Sequence, residues 1–162
     1  MKYLFVLLLF PLQMMAQDCK LKKGIDPISS KPTLSTGFFE LPDAKLSVDA
    51  SNKEIDFFFV VKNPAFKCLD ENTAVTVIFE GGKLKAEYKN NGSLNCDGIL
   101  HITFKNSVYT PSPLQRLVSK KIITIRFHSE TGKPLNMDLT PEQQLTFMDL
   151  VNCIIKESKP LL

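Results

Sequence analysis

An N-terminal leader, followed by four cysteines, constrains this chain more than any other feature of its sequence. Lys2 gives a short positive region, Leu4 to Phe10 form an unbroken apolar run, and Ala16 is a small residue at a cleavage point. This is the layout of a secretory signal peptide, and its apolar core is too short to stay as a membrane anchor. The sequence therefore predicts an exported protein, periplasmic or secreted, with a signal peptide at 1–16 and no transmembrane segment in the mature chain.

The mature chain has the length of one domain. Cleavage after Ala16 leaves 162 − 16 = 146 residues, which begin at Gln17. That length fits a single hydrophobic core, so we expect one domain at 17–162. Loss of Lys2 lowers the formal net charge from +3 to +2, and the lysines are spread along the chain. Without a concentrated basic stripe we expect no nucleic-acid partner.

All four cysteines lie in the mature chain, at Cys19, Cys68, Cys96 and Cys153. Cysteines of an exported protein favour disulfides. No Cys-x-x-Cys and no Cys/His pair at ligand spacing occurs, so we expect no metal, no thioredoxin-type chemistry and no cofactor. Cys19 has a second interpretation as the lipidated cysteine of a lipoprotein. Gln17 and Asp18 before it are a poor match to the small residues which that processing needs.

The first half of the chain reads as β-structure after an irregular lead-in at 17–37. Leu46 and Val48 alternate with polar residues, which predicts a strand with one solvated face. Ile55 to Val61 is almost continuously apolar and predicts a central strand covered on both faces. Its three phenylalanines, Phe57 to Phe59, are interpreted as core residues, with an exposed aromatic platform as the alternative.

The second half supplies a hairpin and the helices. Gly81-Gly82 lies between two β-rich segments, and paired glycines suit the tight turn of a hairpin. A short helix is expected near 113–119. A C-terminal helix near 141–156 follows Thr140, which forms a capping-box pattern with Gln143. The predicted fold class is α+β: a mainly antiparallel β-sheet with the C-terminal helix packed on it.

The hairpin also bears on the disulfides. A two-residue turn at Gly81-Gly82 makes the numbers of facing residues sum to 163, so residue 68 faces residue 95, next to Cys96. The extrapolation from the turn is long, and a bulge at Asp70 to Asn72 would shift the register, so geometry permits this pair without fixing it. We predict the pairing Cys68–Cys96, and Cys19–Cys153 follows by exclusion.

The candidate chemistry centres on two histidines. His101 and His128 fall on the polar faces of predicted strands, and if those strands are neighbours, His101 and His128 share a surface with Thr103, Thr124 and Arg126. The set has no obvious nucleophile or orienting acid, so we expect exposed residues without a catalytic role, each replaceable by Gln at a cost of no more than about 0.5 kcal/mol.

Two other ligands, calcium and a sugar, are less well supported by the sequence. Asp70-Glu71 and Asp97 are acidic positions near cysteines, but they lack the alternating oxygen ligands of a calcium loop. Tyr88 and Tyr109 are the aromatic side chains that could stack on a sugar, in a chain without tryptophan.

The chain resembles small exported proteins of the Bacteroidota type. The resemblance rests on the leader ending at Ala16-Gln17, on 23–27 with Thr36, on the hairpin at Gly81-Gly82, on 121–126 and on 151–154. It implies a location in the envelope of a Gram-negative bacterium, or outside the cell. It carries over no activity and no functional residue.

These observations favour a non-enzymatic binding or structural protein of the cell envelope or the secreted fraction, with an envelope or extracellular partner. The alternative is a small periplasmic hydrolase with a site around His101 and His128, with Arg126 beside them. A deep pocket that holds either histidine beside a carboxylate would favour the hydrolase, and a filled core with shallow grooves would favour binding.

Overall fold

The computed structural model describes residues 19–128 and 133–162, so the predicted signal peptide at 1–16 lies outside the described residues. The elements of this part, in chain order, are β1 (Lys22–Ile25), β2 (Pro32–Ser35), β3 (Phe39–Glu40), β4 (Ala44–Ala50), β5 (Glu54–Val61), β6 (Ala74–Phe79), β7 (Lys85–Lys89), β8 (Ile99–Lys105), α1 (Ser112–Ser119), β9 (Ile122–Phe127), β10 (Leu135–Asp138) and α2 (Pro141–Ser158), with short 3-10 helices at Pro64–Phe66 and Lys159–Leu161. The predicted α+β class and both predicted helices are confirmed.

The strands form two antiparallel sheets. The first sheet has the order β1-β2-β4-β5-β8, with β3 also paired to β4, and the second has the order β10-β9-β6-β7. The sheets face each other across one core, where the ring centroids of Phe59 and Phe127 are 5.7 Å apart and those of Tyr88 and Phe104 are 5.5 Å apart. Burial of such apolar side chains is the main stabilising contribution to the fold.

Helix α2 packs against β2, β4 and α1. Its start follows the predicted capping box: Thr140 Oγ1 accepts a hydrogen bond from the Gln143 amide at 3.2 Å, and Gln143 Oε1 accepts one from the Thr140 amide at 3.0 Å. The helix buries a stripe of side chains against the sheet, namely Phe147, Val151, Ile154, Ile155 and Ser158. It ends at Ser158, slightly beyond the predicted end at 156.

The prediction of an irregular lead-in at 17–37 was wrong for residues 22–25 and 32–35, which are strands. β1 and β2 form an antiparallel pair, in which Lys22 faces Ser35 and Ile25 faces Pro32. All four residues of β1 are exposed, and Leu34 is the buried residue of β2. No side chain of β1 is buried in the core, so the sequence of this strand shows no apolar alternation from which it could be recognised.

The prediction that β5 is covered on both faces was also wrong. Its side chains alternate between the core and a half-buried outer face: Phe57 and Phe59 are buried, while Phe58 is half-buried on the other side. The apolar run therefore belongs to a strand with one packed face. The outer face of the first sheet is the face that carries Phe58.

The hairpin register explains how Cys68 meets Cys96. β6 and β7 pair as predicted, with Ala74 facing Lys89, so their numbers sum to 163. Further along, Leu69 faces Asn95, which shifts the sum by one residue. The shift follows the turn that begins at Asp70, and it sets Cys68 opposite Cys96.

Both predicted disulfides are present. Cys68 is bonded to Cys96, and Cys19 is bonded to Cys153 in α2, across a sequence separation of 134. The second bond ties the first described residue to the C-terminal helix. Because the sulfur of Cys19 is held in this bond, it is not available for the thioether of a lipid anchor.

Candidate functional site

His101 lies on the outer face of the first sheet, within a small polar cluster. The register of β5 and β8 places Phe58 opposite His101 and Asp56 opposite Thr103. His101 Nε2 is 2.9 Å from Asp56 Oδ1 and 3.1 Å from Thr103 Oγ1. Phe58 stacks on the imidazole with ring centroids 4.3 Å apart. The side chains of His101 and Asp56 are 25% and 18% exposed, so the pair is largely buried.

The cluster lacks the arrangement of a catalytic triad, because both partners of His101 contact the same ring nitrogen, Nε2. In a hydrolase triad, the acid binds the N–H of one ring nitrogen and leaves the other nitrogen to accept the proton of the nucleophile. Here the carboxylate of Asp56 and the hydroxyl of Thr103 both meet Nε2. A nitrogen that donates its hydrogen to Asp56 cannot accept the proton of Thr103. The geometry therefore describes a charge-assisted hydrogen bond without a proton relay.

Asp56 is the member of this cluster that the sequence analysis missed. It is the one charged residue inside the apolar run of β5, and strand alternation puts it on the same face as Phe58. Alternation along β5 therefore indicated that Asp56 lies on the outer face, but it did not indicate which residue Asp56 contacts. His101 is 45 residues away, and the contact depends on the pairing of β5 with β8.

His128 lies on the second sheet. Its Nε2 is 2.7 Å from Thr76 Oγ1 on the neighbouring strand, and the side chain is exposed. Arg126 Nε donates to Asn136 Oδ1 at 2.7 Å, and Thr124 Oγ1 donates to Asp138 Oδ1 at 2.7 Å. These residues are thus occupied with cross-strand partners on β6 and β10.

The structure does not bring the two histidines onto one surface. The predicted set required β8 and β9 to be neighbours, but β8 pairs with β5 in the first sheet, whereas β9 lies between β10 and β6 in the second. His101 and Thr103 are therefore separated from Thr124, Arg126 and His128. Alternation along each strand gave the correct outward direction, but the assignment to sheets was wrong. The prediction of an exposed histidine without an acid beside it was also wrong for His101, which is half-buried against Asp56.

The two histidines should differ in their effect on stability. Replacing His101 by Gln removes the hydrogen bond to Asp56 and the stacked ring on Phe58, so we expect the free energy of unfolding to fall by about 1–2 kcal/mol. The matched change His128→Gln removes an exposed contact and should cost no more than about 0.5 kcal/mol. Urea unfolding of both variants measures the difference. Equal, small effects would contradict the structural role of the His101 cluster.

A groove with a volume of about 380 Å³ lies next to the cluster, at the end of the first sheet where β4 turns into β5. Asp49 and Asp56 are among its lining residues, and His101 is not. Ser47 Oγ donates a hydrogen bond to Asp49 Oδ1 at 2.8 Å, which continues the polar face toward β2. The imidazole is thus beside a carboxylate but outside this groove.

Asp70, one of the acidic positions near the cysteines, holds a turn. Asp70 Oδ1 accepts hydrogen bonds from the Thr73 hydroxyl at 2.9 Å and from the Thr73 and Asn72 amides at 3.0 and 3.1 Å. The bond from the Thr73 side chain, together with those from Asn72, holds the pKa of Asp70 below its usual value. In residues 19–128 and 133–162, no three His, Cys, Asp or Glu side chains form a group that could hold a metal ion.

Comparison of the chain with protein-family models, with curated proteins and with solved structures found no match. Within the described part of the chain, no helix combines the length and the apolar character needed to cross a bilayer.

Proposed function

We propose that this chain is an exported protein of the cell envelope or the secreted fraction, and that it acts by binding rather than by catalysis. Export is supported by the charged, apolar and small-residue order of the leader and by two disulfides, which persist in oxidising compartments. The resemblance to exported Bacteroidota proteins supports a Gram-negative envelope as the location.

The observation that carries the non-catalytic part of the proposal is the geometry at His101. Its Nε2 is shared between Asp56 and Thr103, so the imidazole has no arrangement in which the acid orients it and the hydroxyl gives it a proton. A binding role requires no proton transfer. It needs surface side chains held in fixed positions, and the paired sheets and the two disulfides supply that rigidity.

The proposal is tested on the protein exported with its own leader from a Gram-negative host. We expect the intact mass to show loss of residues 1–16, a chain that begins at Gln17 and two intact disulfides. The same sample should leave chromogenic carboxylic esters, phosphate esters and glycosides unhydrolysed and should not react with a fluorophosphonate, which labels activated hydroxyl nucleophiles.

The hydrolase assays are repeated with the variant His101→Gln. The variant His128→Gln, which removes the other histidine, is the control. Turnover or labelling that disappears in His101→Gln but persists in His128→Gln would overturn the non-catalytic proposal in favour of the hydrolase. A retained leader, or a diacylglyceryl group on Cys19, would overturn the proposed processing.

A further inference from the structure

A second groove lies between helix α1 and the turn that joins β6 to β7, and its volume is about 310 Å³. Leu84 provides its apolar part. The polar lining side chains are all hydrogen-bond donors: Thr110, Ser112, Gln115, Arg116, Ser119 and Lys120. Arg116 and Lys120 are cations, and no acid is found among the described lining residues. This composition suits an anionic ligand that also carries hydroxyl groups.

The cations of this groove are available to a ligand. The ion pairs among the described residues join Lys45 and Lys62 to Glu40, and His101 to Asp56, so they involve neither Arg116 nor Lys120. Burial raises the pKa of Tyr88, and the positive charge of Arg116 partly opposes this rise. Tyr88 donates a hydrogen bond to the Pro113 carbonyl at 3.4 Å, which joins β7 to the start of α1.

The two segments that form the groove carry more cations than acids. They are held together by the Lys121 carbonyl, which accepts a hydrogen bond from the Glu80 amide at 2.9 Å. Residues 79–85 and 112–121 hold one acid, Glu80, and five cations, namely Lys83, Lys85, Arg116, Lys120 and Lys121. A local excess of positive charge around a concave surface concentrates anions there.

The donors fit two parts of one ligand. A guanidinium binds the oxygens of a phosphate or sulfate group in a fork geometry, and an ammonium adds a point charge. The three hydroxyls and the amide of Gln115 match the hydroxyls of a sugar. Tyr109 immediately precedes the lining residue Thr110 in the chain and is 86% exposed, so its aromatic ring is open to solvent.

We propose that this groove binds a sugar that carries a phosphate or sulfate ester, with Arg116 and Lys120 on the ester and the α1 hydroxyls with Gln115 on the sugar ring. The proposal adds a ligand class to the proposed binding role. It is independent of the Asp56–His101 cluster, and it depends on neither export nor the absence of catalysis.

The test is calorimetric titration of the mature, disulfide-bonded protein with glucose 6-phosphate, glucose 6-sulfate, glucose and inorganic phosphate. We expect the two esters to bind about tenfold or more tightly than either glucose or inorganic phosphate, because only the esters use both halves of the groove. Vesicles that display a phosphorylated glucosamine lipid form the final arm. Binding to these vesicles and to no free ester would assign the same chemistry to a lipid headgroup.

The variants separate the groove from general charge. R116Q/K120Q should lower the affinity for the esters about tenfold or more, while K22Q/K23Q, which removes the same charge from exposed β1, should leave it unchanged. R116K keeps the charge but loses the fork, and it should also bind more weakly. Near-ultraviolet circular dichroism confirms that each variant is folded.

Equal losses in R116Q/K120Q and K22Q/K23Q, an unchanged affinity in R116K, or binding of inorganic phosphate as tight as that of the esters would each overturn the proposal. None of these results changes the mass of the exported form or its activity toward hydrolase substrates. Failure of this inference is therefore distinguishable from failure of the proposed function.

Discussion

Replacement of Cys19 and Cys153 by serine is expected to lower the free energy of unfolding by up to about 5 kcal/mol. The bond closes a loop with a sequence separation of 134, and a long closed loop removes much of the entropy of the unfolded chain. It also fastens the start of the described chain to α2, the helix that covers part of the core. Urea unfolding, followed by circular dichroism under oxidising conditions, measures the loss.

The other disulfide provides the matched control for this first prediction. Cys68 and Cys96 are separated by 28 residues, so the C68S/C96S variant should lose less, about 3.5 kcal/mol in the same chain-entropy treatment. A larger loss in C68S/C96S than in C19S/C153S would contradict the entropic account of the long loop. Peptide mapping without reductant verifies that the remaining bond in each variant is the native one.

Truncation of Phe127 to alanine should destabilise the protein by about 3–5 kcal/mol. Phe127 is fully buried, and its ring lies 5.7 Å from Phe59 and 6.4 Å from Phe66, measured between centroids. The contact with Phe59 joins the second sheet to the first, and the contact with Phe66 joins it to the 3-10 helix at Pro64–Phe66. The change therefore removes a large apolar side chain and leaves a cavity in the shared core. Urea unfolding measures the loss, from the midpoint of the transition and from the slope of the free energy of unfolding against urea concentration.

An exposed phenylalanine serves as the control for this second prediction. Phe38 is 64% exposed, and Phe38→Ala should change the free energy of unfolding by no more than about 0.5 kcal/mol. A loss below about 1.5 kcal/mol in Phe127→Ala would mean that the two sheets do not depend on each other for stability in the way that their shared core indicates.

The features of the fold that could be predicted are those that depend on residues close together in the sequence. The hairpin at Gly81-Gly82 and the capping box of Thr140 and Gln143 depend on residues a few positions apart, and both are confirmed. The division of the strands into two sheets depends on which distant segments pair, and a pattern along one strand carries no information about that choice. β1 could not be recognised because no side chain of that strand is buried.

The same distinction applies to the sites. Alternation correctly turned His101 outward, but its contact with Asp56 required the register of β5 and β8. Gln115, Arg116 and Ser119 follow Ser112 at three, four and seven positions, a spacing that places side chains on the same side of a helix, so this part of the groove had a signal in the sequence. Lys120 lies just beyond the end of α1, in extended backbone. The contribution of Leu84 came from the turn between β6 and β7, which only the tertiary structure brings to α1.

The two disulfides also differ in when they can form. If the chain is exported as proposed, it emerges on the far side of the membrane from its N-terminus, so Cys68 and Cys96 arrive close together, 28 residues apart. Cys19 emerges early and has to wait for Cys153, 134 residues later. During that interval Cys68 and Cys96 are the partners within reach of Cys19. The order of emergence thus makes early closure of Cys68–Cys96 the step that protects Cys19 from bonding to the wrong cysteine.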